Sequence, residues 1–283
     1  MKRRIARDRR RAGVRAVLGP RDEALLRALA RFRIARTDDL TSLFFRGVRR
    51  DTAATRLRKL HDAGLLEVRS GGLNAQNVYV LGPGGRGWVE ERGMAVGAPP
   101  AAPFGHSLAI VRLWARLAAA LSEDGSLKLR RFEPDWELRA RLAGSGAPVV
   151  PDAAIEIVSR QLETLPNVRI ALEVDLTTER PGALRRKLAP YEVSRCFDWG
   201  GPVTLVVVLF GAGARRVVSV RSLVEAEWQG RAHVFAESAW PATLLQEVGR
   251  PALTQSPCGK GRVEGASRDA SPPLAEQGEG PSR

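Results

Sequence analysis

Two apolar runs in the middle of the chain alternate with a period of two residues. Val150–Val158 reads VPDAAIEIV and Val168–Leu176 reads VRIALEVDL. Alternation of this kind, rich in Ile, Val and Leu, predicts two β-strands. The polar stretch Ser159–Asn167 between them suits a hairpin loop, so we expect the strands to pair antiparallel. This predicted hairpin restricts the fold more than any other feature of the sequence.

Acidic residues lie on one face of each predicted strand. Period-two alternation places Asp152 on one face of the first strand, and Glu173 and Asp175 on one face of the second. Residue numbers across an antiparallel hairpin sum to a roughly constant value, which sets Asp152 opposite the stretch from Glu173 to Asp175. Adjacent strands are about 4.8 Å apart, so the three carboxylates can converge on one divalent cation. Because Mg²⁺ prefers such hard oxygen ligands, it is the one cofactor that the sequence predicts.

A simpler interpretation of these acids stays open. Acids at strand ends are often solvated or paired with arginine, and such pairs carry no chemistry. The arginines near the two strands in the sequence are Arg169, Arg180, Arg185 and Arg186.

The segment after the second strand favours a functional interpretation. Glu179–Arg195 has helical content, with Lys187 and Tyr191 four residues apart on one face. A lysine there could reach a phosphate or activate a water, although Pro190 counts against a straight helix because it removes a backbone hydrogen bond. The predicted catalytic residues are Asp152, Glu173, Asp175 and Lys187, and the accessory candidates are His106, Glu179 and Tyr191.

Positive charge is concentrated at the N-terminus. The 283 residues carry a net charge of +14, and residues 1–60 contain 19 Lys or Arg against 6 Asp or Glu. Such asymmetry is typical of a protein that binds a polyanion, because each neutralised phosphate releases counterions. A solubilising tail is the alternative, but it accounts for Lys2–Arg15 alone.

The basic region also has the pattern of a folded domain. Helical spacing of apolar residues and capping residues predict three helices, at Arg21–Arg31, Thr37–Phe45 and from Asp51 to about Ala63. A hairpin follows, formed by Leu65–Arg69 and Val78–Leu81. This order predicts a winged helix-turn-helix, in which the third helix enters the major groove of DNA.

Double-stranded DNA is therefore the predicted partner of the N-terminal domain. The alternative is a winged helix that packs only against other proteins. The candidate DNA-binding residues are Arg49, Arg50, Arg56, Arg58 and Lys59.

The length predicts two domains, at roughly 100 to 200 residues each. We assign a basic arm to residues 1–19, the winged helix to residues 20–95, a second domain to residues 104–249 and a disordered tail to residues 250–283. Within the linker region, the string GPGGRG at residues 82–87 is interpreted as a turn, since it lacks the ending of a phosphate-binding loop.

Several classes of protein are excluded. No apolar run approaches the about 20 residues of a membrane helix, and the start of the chain lacks the apolar stretch of a signal peptide. We therefore expect a cytoplasmic protein. The two cysteines and three histidines have no ligand spacing, which argues against zinc or redox chemistry.

The second domain reads as helix, strands, helix, strand. His106 opens an amphipathic helix through Leu121, a strand follows at Leu127–Phe132, and Glu133–Arg139 is interpreted as a short extended piece. The two acidic strands come next, and Pro202–Phe210 is an apolar strand that we expect to be buried on both faces.

This order resembles the restriction-endonuclease-like PD-(D/E)xK fold. The whole arrangement, over roughly residues 20 to 210, is similar to the replication-relaxation proteins of plasmids and other mobile elements, which join a winged helix to such a domain. One matching part is the winged helix. The others are HSL at 106–108, PDA at 151–153, EVDLTTE at 173–179, Lys187 and Tyr191. The resemblance implies an α+β protein whose second, α/β domain has a mixed central sheet.

The resemblance implies a DNA-binding accessory or regulator of replication or mobilisation, with replication or mobilisation proteins as partners and a homodimer as one assembly. Active nucleases of the PD-(D/E)xK type carry a lysine where this chain has Asp175, so Lys187 would have to replace it. A Mg²⁺-dependent endonuclease that uses Asp152, Glu173 and Asp175 is the first alternative. A winged-helix transcription regulator is the second.

Overall fold

Three helices begin the described part of the N-terminal region. They are α1 (Pro20–Phe32), α2 (Thr37–Phe44) and α3 (Arg50–Asp62). Pro20 opens α1 with a backbone angle that suits a first helical turn, and the Asp22 carboxylate accepts a hydrogen bond from the Gly19 amide at 3.0 Å. The three predicted helices are confirmed, with ends that differ by one or two residues.

The computed structural model describes residues 13–69, 76–146, 149–160, 167–177, 180–193, 203–228 and 232–249. Described residues up to Val248 belong to one compact unit. Most of the predicted basic arm, the turn of the first hairpin and the predicted tail at residues 250–283 lie outside these ranges.

A small antiparallel sheet completes the N-terminal region. Its strands are β1 (Ala35–Arg36), β2 (Leu66–Arg69) and β3 (Val78–Leu81), in the order β1-β3-β2. Strands β2 and β3 pair with Leu66 opposite Leu81, which confirms the predicted hairpin. Three helices followed by this hairpin are the element order of a winged helix.

The glycine-rich string after β3 forms a helix, so the predicted turn is wrong. Helix α4 spans Pro83–Glu90, and Pro83 occupies its first turn. A Cβ at Gly85 would lie 2.1 Å from the carbonyl oxygen of Leu65. The glycine is there because α4 approaches the backbone of the hairpin closely.

The second region contains a five-stranded sheet and the helices that cover it. The helices are α5 (Gly105–Asp124), α6 (Asp135–Arg141), α7 (Pro181–Leu188), α8 (Pro190–Val193), α9 (Ala214–Trp228) and α10 (Ala242–Gly249). The strands are β4 (Leu127–Pro134), β5 (Ala153–Ser159), β6 (Val168–Asp175), β7 (Thr204–Leu209) and β8 (Ala232–Ala236). The extended piece expected at Glu133–Arg139 is wrong over most of its length, because Asp135 and Glu137 favour a first helical turn after Pro134.

The central sheet is mixed. Its order is β4-β5-β6-β7-β8, with antiparallel pairing from β4 to β6 and parallel pairing from β6 to β8. The register sets Ala153 opposite Leu172, so Asp152 and Glu173 are the next pair along the hairpin. The predicted α+β fold class with a mixed central sheet is confirmed.

The two faces of the sheet are covered by different helices. Ile155, Ile170 and Leu172 lie in the same buried cluster as Leu113 and Leu117 of α5. The opposite face shares a second cluster with the described residues of α7, α8 and α9, among them Leu184, Leu188, Tyr191, Val220 and Val224. The side-chain alternation predicted for β5 and β6 therefore separates two packed layers.

The N-terminal region packs against the second region through aromatic and charged residues. Phe32 of α1 stacks on Trp114 of α5 with ring centroids 4.2 Å apart. Arg31 donates hydrogen bonds of 2.8 to 3.1 Å to the Glu137 carboxylate. In the part of the chain that the structure describes, no helix has the length and apolar character needed to cross a membrane.

Candidate functional site

Exposed cations lie at both ends of α3. Helix α3 buries Ala53, Leu57 and Leu60, which leaves the opposite side to solvent because these positions share one helical face. Arg49, Arg50 and Lys59 are exposed, and we refer to these three residues as the α3 surface. Arg50 contacts Asp38 at 3.0 Å, but its side chain is 70% exposed, so a phosphate can replace that weak pair.

The other two predicted DNA-binding residues have partners within the N-terminal region. Arg56 donates to Asp22 at 2.9 and 2.5 Å and to the Val17 carbonyl oxygen at 2.8 Å. Arg58 pairs with Asp62, one helical turn later, at 2.9 Å. Arg56 thus joins α3 to α1, and its role in DNA contact stays a prediction.

The predicted acids Asp152 and Glu173 meet at the end of the central hairpin. His106, in the first turn of α5, lies with its Nε2 3.0 Å from Asp152 Oδ1. The backbone amide of Val174 donates to Asp152 Oδ2 at 2.8 Å. Asp152 therefore receives one donor from a helix and one from the neighbouring strand.

Glu173 is almost completely buried, with 1% of its side chain exposed. Lys187 Nζ lies 2.5 Å from Glu173 Oε2 and 3.9 Å from Asp152 Oδ2. The Tyr191 hydroxyl donates to Glu173 Oε1. We call these residues, Asp152, Glu173, His106, Lys187 and Tyr191, the acidic centre.

Asp175 has different partners from the other two acids. Arg216, near the start of α9, donates to Asp175 Oδ2 at 2.9 Å, and the Thr177 amide donates to Oδ1 at 2.8 Å. The structure thus brings two of the three predicted carboxylates together under Lys187 and gives the third its own arginine. Glu179, an accessory candidate, lies outside the described residues.

The environment shifts the pKa values of three groups in the acidic centre. Burial, with the nearby charge of Asp152, raises the pKa of Glu173 to about 7. The hydrogen bond to Asp152 raises the pKa of His106. Burial alone would raise the pKa of Asp152, but the hydrogen bond and charge of His106, with Lys187 and the Val174 amide, lower it below its usual value.

The carboxylate oxygens of the acidic centre do not fit Mg²⁺ in this arrangement. A magnesium ion needs oxygen ligands at about 2.0 to 2.1 Å in octahedral geometry. Each oxygen of Asp152 and Glu173 already faces a donor of the chain, and Lys187 stands against both carboxylates. Across the described residues, no three His, Cys, Asp or Glu side chains are grouped so that they could hold a metal ion.

The residue that sequence reasoning missed at this end of the sheet is Arg216. It follows β7, whose parallel pairing with β6 sets Asp175 opposite Leu209. That pairing brings the start of α9 next to Asp175. The only signal in the sequence is the pair Arg215-Arg216 after an apolar strand, and spacing alone does not link it to an acid about 40 residues earlier.

A comparison with models of known protein families shows the family to which the chain belongs. The family model described as Replication-relaxation matches residues 26–195, which is more than half of the sequence. The chain belongs to the replication-relaxation family. The matched residues include the α3 surface and the whole acidic centre, whereas Arg216 lies beyond them.

Other comparisons give weaker similarities to this replication-relaxation protein. Its structure is similar to that of the restriction endonuclease FokI bound to DNA, with 9% sequence identity and a TM-score of 0.27. The similarity covers 76% of this chain and 42% of the FokI chain, so the chain spans less than half of that protein. A TM-score this low supports no inference about activity. Comparison with curated proteins gave no match.

Proposed function

We propose that this replication-relaxation protein binds double-stranded DNA through the α3 surface. It acts as an accessory or regulator of the replication or mobilisation of a plasmid or another mobile element. Family membership supports the replication role, and the N-terminal region supports the contact with DNA.

The observation that carries this proposal is the exposure of Arg49 and Arg50 at the N-terminus of α3 and of Lys59 near its C-terminus. Cations fixed on a rigid helix can contact phosphates on both sides of a groove, and each contact releases counterions. The concentration of 19 basic against 6 acidic residues in residues 1–60 adds attraction over a longer range. The remaining 223 residues have a net charge near zero. The N-terminal region is therefore the part of the chain that attracts a polyanion.

The second region has a supporting role in this proposal. In this proposal it assembles with replication or mobilisation proteins or with a second copy of the chain. Both kinds of partner are testable by co-purification and by measuring the molar mass in solution.

Fluorescence anisotropy with a labelled duplex of about 25 base pairs tests the proposal. Replacing Arg49, Arg50 and Lys59 together by Ala should weaken binding at least about tenfold at 0.1 M salt, because up to three phosphate contacts are lost. The control with the same loss of charge replaces Arg139, Arg186 and Arg215 together by Ala, since these three arginines are exposed and lie outside α3. Equal affinity of the triple variant and the wild type would remove the α3 surface from the proposal.

A Mg²⁺-dependent endonuclease is the second candidate. One contact bears on it, the approach of Lys187 to both Asp152 and Glu173, because active nucleases of this type carry a lysine beside their acids. The metal ion that such a reaction also needs would have to displace the Lys187 ammonium from its present position. Nicking of supercoiled plasmid in Mg²⁺ or Mn²⁺, lost in Asp152→Ala and Glu173→Ala, would support the endonuclease. A winged-helix transcription regulator would instead bind promoter DNA and change expression of a reporter gene.

A further inference from the structure

The acidic centre balances its charges with groups of the chain itself. Lys187 approaches both carboxylates, at 2.5 Å from Glu173 and 3.9 Å from Asp152. His106 lies 3.0 Å from the other oxygen of Asp152. Two acids therefore meet two basic groups within ion-pair distance, and buried charges are tolerated when they are paired in this way.

The donors of the centre come from separate elements of the fold. His106 belongs to α5, which covers one face of the sheet, and Lys187 belongs to α7, which covers the opposite face. Asp152 directly precedes β5, and Glu173 is part of β6. The ion pairs thus connect both helical layers to the end of the central hairpin that lies away from its loop.

The position of Lys187 is the position that a bridging cation would take. A divalent ion shared by Asp152 and Glu173 would have to lie within about 2.1 Å of an oxygen of each acid. The Lys187 ammonium already lies against Glu173 Oε2 on the side that faces Asp152 Oδ2. A divalent ion and the ammonium cannot both occupy that space.

We propose that Lys187 replaces the divalent cation in this chain, so that the acidic centre is a metal-independent ionic clamp between α5, α7 and the sheet. The proposal is independent of the DNA contact proposed for α3. It assigns the centre a role in holding the second region together.

Thermal denaturation in EDTA and in MnCl₂ tests the clamp. The wild type should have the same melting temperature in both solutions. Lys187→Ala should melt at least about 3 °C lower in EDTA, a shift that corresponds to a modest loss of stability for a chain of this size. Mn²⁺ should then restore part of that loss, because the substitution leaves Glu173 without its ammonium partner and Asp152 with His106 as its basic partner. Mn²⁺ accepts carboxylate ligands.

Two controls separate this result from a general effect of Mn²⁺ or of mutation. Arg186→Ala removes an exposed neighbour on α7 and should melt like the wild type in both solutions. The double variant Lys187→Ala with Asp152→Asn should gain nothing from Mn²⁺, since one of the two ligands has lost its charge.

Direct binding of Mn²⁺ to the wild type gives a second measurement, which holds even if Lys187→Ala does not fold. Titration calorimetry should detect no uptake by the intact protein at millimolar Mn²⁺. Uptake that disappears in Asp152→Asn would overturn the proposal and identify a metal site. An unchanged melting temperature of Lys187→Ala in EDTA, or its lack of response to Mn²⁺, would also overturn it. Neither measurement involves DNA, so the clamp and the proposed function fail separately.

Discussion

Arg56 and Asp22 form a two-point ion pair that joins α3 to α1. Arg56 Nε lies 2.9 Å from Asp22 Oδ1, and its Nη2 lies 2.5 Å from Oδ2. The Asp22 side chain is only 6% exposed, and it also accepts the Gly19 amide at the start of α1. Arg56 of α3 therefore stabilises the fold that presents Arg49, Arg50 and Lys59.

Removing Arg56 should destabilise the protein. Arg56→Ala leaves the buried Asp22 carboxylate with one donor fewer, and an unsatisfied buried group costs about 1–3 kcal/mol. The free energy of unfolding from urea denaturation measures this loss. Arg27→Ala is the control, because Arg27 forms an exposed pair with Glu23 and a 5.4 Å contact with the Trp88 ring. It should change stability less than Arg56→Ala. If both variants unfold at the same urea concentration as the wild type, the Arg56–Asp22 pair does not contribute to the stability of the fold.

Glu173 should make stability depend on pH near neutrality. Burial raises its pKa from 4.5 to about 7 in the folded protein, so between these values the folded state binds a proton that the unfolded state has released. The free energy of unfolding then falls as pH rises from 4.5 through 7. Glu173→Gln should remove this contribution, which urea denaturation at pH 5, 6, 7 and 8 would show. Parallel pH profiles of the variant and the wild type would contradict the assignment.

The pair between Arg216 and Asp175 should contribute to stability more than its neighbour Arg215. Arg216→Ala removes the arginine from the Asp175 carboxylate, which is 5% exposed and keeps the hydrogen bond from the Thr177 amide. We expect a loss of about 1–3 kcal/mol. Arg215→Ala removes an exposed arginine of the same helix turn and is the matched control.

A double-mutant cycle isolates this interaction. Adding Asp175→Asn to Arg216→Ala should recover part of the loss, since it removes the unpaired buried charge. Strictly additive effects of the two substitutions would show that the residues do not interact.

The central hairpin was predictable because two simple rules act together there. Alternation with period two separates the faces of a strand, and a short polar loop restricts the register. Ile155 and Ile170 therefore lie in one core. Asp152 and Glu173 follow the pair Ala153–Leu172 and lie opposite each other. The break between α7 and α8 before Pro190 follows from the missing amide of proline.

Other contacts depend on packing that local patterns do not encode. The helix at Pro83–Glu90 is stabilised by the close approach of Gly85 to Leu65, whereas the glycines alone favour a turn. Arg56 has the spacing of an outward residue, and its partner Asp22 lies on another helix. The acidic centre was predicted as a residue set, but the separation of Asp175 from it depends on Arg216 of α9.

The salt dependence of duplex binding tests the central claim most directly. Each phosphate that a protein neutralises adds about −0.9 to the slope of log affinity against log salt concentration. The wild type should show a steep negative slope, and the variant with Arg49, Arg50 and Lys59 replaced by Ala should have a slope smaller by about 2 to 3. Identical slopes for the two proteins, or no binding by the wild type at 50 mM salt, would contradict DNA contact through α3.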